Sequence, residues 1–452
     1  MELSIASREI IKPSSQSLHL KPYNLCLFDQ LIPNTFLSVI LFYPMHDPKV
    51  VDLSETLTQL KKSLSETLTL YYPLSGRTKN NLCVEDFFTG VAFVEARVKC
   101  QMSEFFQGEN ELQNQLVPFQ PFCQEKTDVP PIAFQLNVFS CGGIALGISL
   151  GHKNNDIAML SNFLKSWTAF STGSPEKLIK PDLSSPAILF PPKTNHFLNK
   201  YTSLMDRLWF SEGDYVTKRF VFRAKSIETL KERAKSERVP IPSRNLAISC
   251  LIWKHAMAAS WVASGSHKPS IAGQAVNMRP RMKSGHHGDD SLDGALANFF
   301  WWAMASFDPN DYNVEISSST DVELSELVVQ MKESITTGFF DEHYISQLMT
   351  TSNKEGLITD VESQLELMCS LELENPDIFV FTNWKDFFKD IDFGFGKPLS
   401  VGTIGKVGPA FRNLVILVDA DQWGKGSVDA FITLKAKEMA LLESDENFTF
   451  YL

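Results

Sequence analysis

Positive charge is in short supply in this chain. Its 42 Lys and Arg stand against 53 Asp and Glu, a formal net charge of −11 over 452 residues. This excludes a global basic field for nucleic acid or an anionic membrane surface, but not a local basic mouth for an anionic co-substrate. Cysteine is sparse as well. Cys26, Cys83, Cys100, Cys123, Cys141, Cys250 and Cys369 are scattered, odd in number, and never form Cys-x-x-Cys. That excludes a disulfide framework and a zinc knuckle and points to a reduced, intracellular setting. At the N-terminus, Glu2, Arg8, Glu9 and Lys12 interrupt any apolar segment, so no secretory signal is expected and a cytoplasmic location is. Long apolar runs are missing too. The longest uncharged stretch, 129–151, contains Gln135, Asn137, Ser140 and Gly142-Gly143, so it reads as two buried strands around a turn and not as a membrane span of about 18 apolar residues.

What the chain does have is core-forming material, with 44% hydrophobic residues including 34 Phe. Together with its length, this predicts at least two globular domains. Leucines at 53, 57, 60, 64 and 68 form the stripe of an amphipathic helix with Asp52 and Glu55 as N-cap and N3 acid, ending at Tyr72-Pro73. Strand Ile144 to Leu150 runs directly into Gly151-His152. Leu160, Phe163, Leu164, Trp167 and Phe170 then recur at helical spacing, so His152 sits where a buried strand hands over to a helix. Prolines 175, 181, 186, 191 and 192 interrupt residues 171–214, the candidate linker. Beyond it, a strand at 218–222, helices at 226–235, 243–260 and 321–335, strands at 412–418 and 428–434 and a helix at 435–442 predict a second α/β domain. No solenoid repeat is visible.

Several groups of residues suggest chemistry. His152 and Asp156, four apart at a helix start, share one side of the first turn, so the acid can set the local geometry around an imidazole facing a cleft; a surface His with a capping Asp is the plain alternative. Asp392-Phe393-Gly394-Phe395-Gly396 alternates glycines with aromatics, which suggests unusual backbone dihedrals or close packing and lacks the context of a dinucleotide loop. In Val276-Asn277-Met278-Arg279 one arginine is placed for a buried bidentate pair, against a reading as solvated cations. Thr382-Asn383-Trp384 puts a hydroxyl and an indole N–H close together as neutral donors, unless it is an exposed strand end. His286, His287, Asp289 and Asp290 read as a solvated loop, because neighbouring histidines project apart and no second ligand cluster exists; no metal is expected.

Their order along the chain, His152-x-x-x-Asp156, Asn277-x-Arg279, Thr382-x-Trp384 and Asp392-Phe393-Gly394-x-Gly396, resembles the plant BAHD acyltransferases, which transfer acyl groups from coenzyme A thioesters. Phe28-Asp29-Gln30-Leu31, Tyr72 to Arg77, Phe93 to Arg97 and Asn413 to Leu434 agree, so the resemblance spans essentially the whole chain and is closest to alkaloid acetyltransferases of the vinorine synthase type. It implies an α/β, two-domain chloramphenicol acetyltransferase-like fold, each domain a mixed sheet with flanking helices, with a channel between them. The expected domains are 1–195 with the His-x-x-x-Asp motif, a crossover linker 196–214, and 215–452 with the Asp392 loop. The resemblance makes His152 the general base and places Asp392 with it in the catalytic set, through a loop that keeps the channel in shape. Asp156 would turn from substrate to pair with Arg279, Gly394 and Gly396 would support the site, and Thr382, Trp384 and Asn298 would contact the oxyanion or substrate. Lys254 is the candidate cation for coenzyme A. No permanently bound cofactor is implied; acyl-CoA, with acetyl-CoA as the default, is a co-substrate, the partner is a small alcohol or amine, and a monomer is expected.

Some positions depart from the family. Gly285 to Asp290 and Ala297-Asn298-Phe299 stand where the family has a Pro-rich stretch and Phe-Gly-Asn, Phe395 replaces Trp, Asn383 replaces Ser, and Ile157 follows the motif Asp. Three functions therefore compete: O-acyl transfer to a specialised plant metabolite such as an alkaloid or terpenoid; elimination, cyclisation or rearrangement by the same base without net acyl transfer; and a non-catalytic metabolite-binding relic.

Overall fold

The structure is a computed structural model that describes residues 2–452 apart from 16–19, 45–52, 109, 122–130, 195, 283–291, 312–321, 349–358, 364–365, 367–368, 370–374 and 404–409. Asp52, Cys123, the cluster His286, His287, Asp289 and Asp290, and the expected helix start at Asp321 lie outside the described residues. The chain folds as two compact α/β units, each built on a six-stranded mixed sheet.

The first unit comprises Met1–Ser203, Asp289–Phe299 and Asp386–Gly408. Its strands lie in the order Leu3–Ile11, Val91–Val98, Ile132–Phe139, Ile144–Gly151, Phe36–Tyr43, Ser400–Gly402, antiparallel except for the parallel pair Val91–Val98 and Ile132–Phe139. The uncharged stretch forms the two central strands, both buried throughout, around a turn in which Gly142 takes φ +83. Its polar residues have definite partners. Gln135 donates to the Gln115 carbonyl at 2.8 Å, Asn137 donates to the Leu116 carbonyl at 2.8 Å, and Ser149 Oγ exchanges bonds with both backbone groups of Phe119 at 3.0 and 3.1 Å. A segment of irregular chain is thereby fixed on the sheet, its backbone groups satisfied as burial demands.

Helix Leu53–Leu70 buries Leu57, Leu60, Leu64 and Leu68, as the leucine stripe predicts. It packs against helix Ile157–Ser171, where the Trp167 indole N–H donates to the Leu60 carbonyl and to Ser63 Oγ, both at 3.1 Å, and the Trp167 ring meets Phe134 edge-on at 5.0 Å.

The second unit comprises Leu204–Gly288, Phe300–Lys385 and Pro409–Leu452. Its strands lie in the order Tyr215–Phe222, Val428–Lys435, Leu414–Asp419, Asp377–Asn383, Ser270–Asn277, Phe300–Phe307, the two pairings from Leu414–Asp419 through Asp377–Asn383 to Ser270–Asn277 being parallel and the others antiparallel. Helix Arg244–Ser264 forms the centre of its core. Ser243 Oγ caps the start by accepting from Leu246 N–H at 3.2 Å, and Gly265 ends it at φ +69, a left-handed position that glycine takes without steric penalty. By length and hydropathy this helix alone among the described residues would suit a membrane span, but 83% of its apolar window is buried inside the unit.

Two expectations are corrected. Residues 196–214 are not an irregular crossover, since His196–Trp209 is a helix of 14 residues; the prolines that suggested a linker all precede it. Nor do the units follow the expected boundaries of 1–195 and 215–452. Segments 289–299 and 386–408 return to the first unit, where Ser400–Gly402 adds an edge strand by pairing with Phe42, Leu41 and Ile40. The Asp392 loop thus belongs to the first unit. Hydrogen bonding to an open strand edge outweighed proximity in sequence.

Candidate active site

Strand Ile144–Gly151 ends at the candidate base. Its last ladder position pairs Gly151 with Phe36, and the His152 N–H continues the ladder one step further by donating to the Thr35 carbonyl at 2.8 Å. The chain then turns through four polar residues, Lys153 to Asp156, all of them buried. Each is engaged. Lys153 Nζ donates to the Ile32 carbonyl at 2.6 Å and the Gln30 carbonyl at 3.2 Å, Asn155 donates to the Gly151 carbonyl and to Asn154 Oδ1, both at 2.9 Å, and Asp156 caps the following helix. Asp156 Oδ1 accepts from Met159 N–H at 2.8 Å while Oδ2 accepts from Phe299 N–H at 2.9 Å. The acid therefore ties the helix start to a segment 143 residues further along the chain. Replacing Asp156 by alanine is expected to remove the cap and strand a buried N–H, destabilising the protein by about 2 kcal/mol. Urea denaturation measures it; a change under about 0.5 kcal/mol would contradict this role.

The imidazole geometry fixes a tautomer. Nδ1 lies 2.9 Å from the Asn155 carbonyl and 3.1 Å from Asn298 Oδ1. A backbone carbonyl only accepts. The Asn298 amide is oriented beyond ambiguity, because its Nδ2 faces three acceptors: the His152 carbonyl at 2.8 Å, the Lys153 carbonyl at 3.1 Å and Asp29 Oδ1 at 3.1 Å. Nδ1 must therefore carry the proton, and the lone pair of the neutral ring is on Nε2. Burial pushes the His152 pKa below its ordinary value against the opposing pull of Asp156 and the hydrogen bonds, so the ring is neutral at pH 7. The arrangement supplies a neutral base with one defined accepting nitrogen.

Asn298 is wholly buried, and Tyr23 Oη holds the same segment by donating to the Leu296 carbonyl. This corrects the expectation for Asn298: both Nδ2 protons are committed to Asp29 and the histidine turn, so the side chain orients His152 instead of contacting substrate. Asp392 is corrected likewise. Its Oδ1 accepts from Gly394 N–H at 2.8 Å and Gly396 N–H at 2.9 Å, and both glycines take positive φ, +103 and +106. Its carboxylate is used to fold its own loop. The loop buttresses helix Ile157–Ser171, through Phe393 against Trp167 at 4.8 Å and Ser171 Oγ donating to the Phe393 carbonyl at 3.2 Å; Phe395 packs on Tyr43 at 5.0 Å.

The remaining candidates lie in the second unit. Thr382 is near the end of strand Asp377–Asn383, and buried Trp384 follows it, its N–H donating to the Leu417 carbonyl at 2.8 Å. Buried Arg279 follows strand Ser270–Asn277, its N–H held by Asn277 Oδ1 at 3.1 Å. Those two strands are parallel neighbours, so Thr382 lies at, and Arg279 and Trp384 just past, their carboxyl ends, where α/β sheets commonly bind ligands. Lys254 is apart from them, half-buried on helix Arg244–Ser264. Asp29, Lys153 and Asn155 were not expected as site residues. The only sequence signal for Asp29 was its place in the Phe28-Asp29-Gln30-Leu31 segment.

This α/β architecture of two units, each on a six-stranded mixed sheet, is the chloramphenicol acetyltransferase-like fold. The model of the Transferase family matches residues 1–449. Vinorine synthase from Rauvolfia serpentina is 32% identical, covering 98% of this chain and 96% of its own, and its crystal structure superposes with a TM-score of 0.79 at 30% identity, over 100% of this chain and 98% of the other. Epi-neemfruitin B 7-O-acetyltransferase from Melia azedarach is 33% identical over 99% of this chain and 97% of its own. The chain belongs to the Transferase family, the BAHD acyltransferases. It is an enzyme of the acyltransferase class.

Proposed function

We propose that the protein is an acyl-CoA-dependent O-acyltransferase, with acetyl-CoA as donor, acting on a hydroxyl of a specialised plant metabolite of the alkaloid or terpenoid type. The observation that carries this reading is the imidazole of His152, neutral and locked with its proton on Nδ1. Nε2 takes the proton of the acceptor hydroxyl as its oxygen attacks the thioester carbonyl. Collapse of the tetrahedral intermediate breaks the C–S bond, and the imidazolium returns the proton to the departing coenzyme A sulfur, so atoms and charges balance without an acyl-enzyme. Binding both substrates at once makes the encounter effectively unimolecular. On the strength of the family resemblance, Thr382 and Trp384 donate to the oxyanion and Lys254 supplies a cation for coenzyme A. The 7-O-acetyltransferase name of one relative supports transfer to oxygen and acetyl as the group carried.

The test is mass spectrometry of alkaloid and terpenoid alcohols incubated with the purified protein and acetyl-, malonyl- or benzoyl-CoA. Products heavier by one acyl group establish the reaction and its donor. Products of unchanged or reduced mass that form without coenzyme A would replace it with elimination or rearrangement.

A further inference from the structure

Behind the imidazole a second carboxylate is fully enclosed. Asp29, on the short helix Leu27–Leu31, has no solvent exposure. Its Oδ2 accepts from Cys26 N–H at 2.9 Å, and its Oδ1 accepts twice from one residue, Asn298 N–H at 2.8 Å and Asn298 Nδ2–H at 3.1 Å. Asn298 in turn presents Oδ1 to His152 Nδ1 at 3.1 Å. We infer that Asp29 is a positioning residue for the acyl-transfer base, acting through Asn298 to fix which nitrogen of His152 carries the proton; this rests on the acyltransferase reading above.

The argument is one of donor and acceptor polarity. An amide can turn over and exchange its oxygen and nitrogen, and at 3.1 Å from His152 either atom would find a role. With Nδ2 toward the imidazole, the ring would be asked to accept at Nδ1 and so to carry its proton on Nε2, where it is useless as a base. Asp29 forbids that orientation because an ionised carboxylate only accepts, and the flipped amide would set its oxygen against it. The carbonyls of His152 and Lys153 exclude the same flip. Asp29 therefore carries its polarity through one neutral residue to the imidazole, much as partners one layer out set the tautomer of metal-bound histidines. Burial pushes its pKa up to about 6, so it remains ionised at neutral pH and stops being an acceptor-only group in mild acid, where one oxygen gains a donating O–H.

The near-isosteric Asp29→Asn keeps the volume and removes the polarity, since an amide cannot accept from both Asn298 and Cys26. Expected are a fall in kcat of about 10–100-fold, little change in KM for acyl-CoA, and movement of the His152 imidazole 15N resonances from the Nδ1–H pattern toward a mixture of tautomers, with His152→Gln used for assignment. Loss of packing alone would not move those resonances. In an Asn298→Ala background, Asp29→Asn should add less than threefold to the loss, because both act along one chain. A wild-type His152 with its proton on Nε2, an unchanged 15N pattern in Asp29→Asn, or full multiplicative losses in the double variant would each overturn the inference. If Asp29→Asn does not fold, the 15N pattern of Asn298→Ala at about pH 8 decides: loss of the amide that links Asp29 to the ring should move His152 toward a mixture of tautomers, and an unchanged pattern overturns the inference. Because the resonance readout needs no substrate, it separates this inference from a failure of the acyltransferase reading.

Discussion

His152→Ala is expected to lower kcat by about 10²–10⁴-fold at pH 7.5, the usual share of a general base. The fold should survive, because the backbone N–H of residue 152 still donates to Thr35 and the turn is held independently by Lys153, Asn155 and Asp156. A variant with normal urea denaturation and unchanged turnover would remove His152 from the mechanism. The wild-type pH profile checks the same assignment. Burial lowers the imidazole pKa from its ordinary value, and the proposed mechanism uses the neutral ring, so kcat/KM should be flat above about pH 7 and fall on the acid side at a pH below the ordinary histidine value. An inflection above 7 would mean that the ring is charged in the resting enzyme and would contradict the structure.

The largest effect on stability is expected from Gly147→Ala. A Cβ at this strand position would lie 1.8 Å from the Leu116 carbonyl oxygen, 2.8 Å from the Leu116 carbonyl carbon and 3.2 Å from Val117 Cα. All three atoms are backbone, so no side chain can swing aside. Relief requires lifting the segment that Gln135, Asn137 and Ser149 hold against the sheet. Overpacking of this kind costs about 1–3 kcal/mol, and each buried hydrogen bond stretched adds about 1 kcal/mol or more, so about 3–5 kcal/mol is expected in urea denaturation. A loss below about 1 kcal/mol would mean that the segment yields easily. Because the same strand ends at His152, the surviving folded fraction should also show reduced kcat.

What could be read from the sequence was what local pattern determines. The leucine stripe located helix Leu53–Leu70 because every fourth or third position must face the core. The apolar run ending at Gly151-His152 located His152 at the junction of strand and helix because a continuous apolar run reads as a strand buried on both faces, and the polar residues after it mark its end. The Asp392 loop was legible as one that needs unusual dihedrals, and Gly394 and Gly396 do take positive φ; that their N–H groups donate to the Asp392 carboxylate is not visible in the sequence. Asn298 was placed near the site by motif but given the wrong duty, since its partners, Asp29 and the His152 turn, lie 269 and 146 residues away. No window of sequence joins such positions. The units' boundaries failed for the same reason: proline density marks where regular structure stops, not which sheet a later segment rejoins.

That rejoining has a consequence for biosynthesis. Strand Phe36–Tyr43 emerges from the ribosome roughly 360 residues before Ser400–Gly402, the strand that covers its edge. At about 5–20 residues per second, the nascent first sheet waits about 20–70 s with that edge unpaired. Asn298, whose Oδ1 lies 3.1 Å from His152 Nδ1, arrives well after His152 as well. Translation of the first 200 residues therefore yields an intermediate with an exposed strand edge and an unfinished active site, a natural client for chaperones. A gene truncated at the apparent domain junction would encode that intermediate permanently.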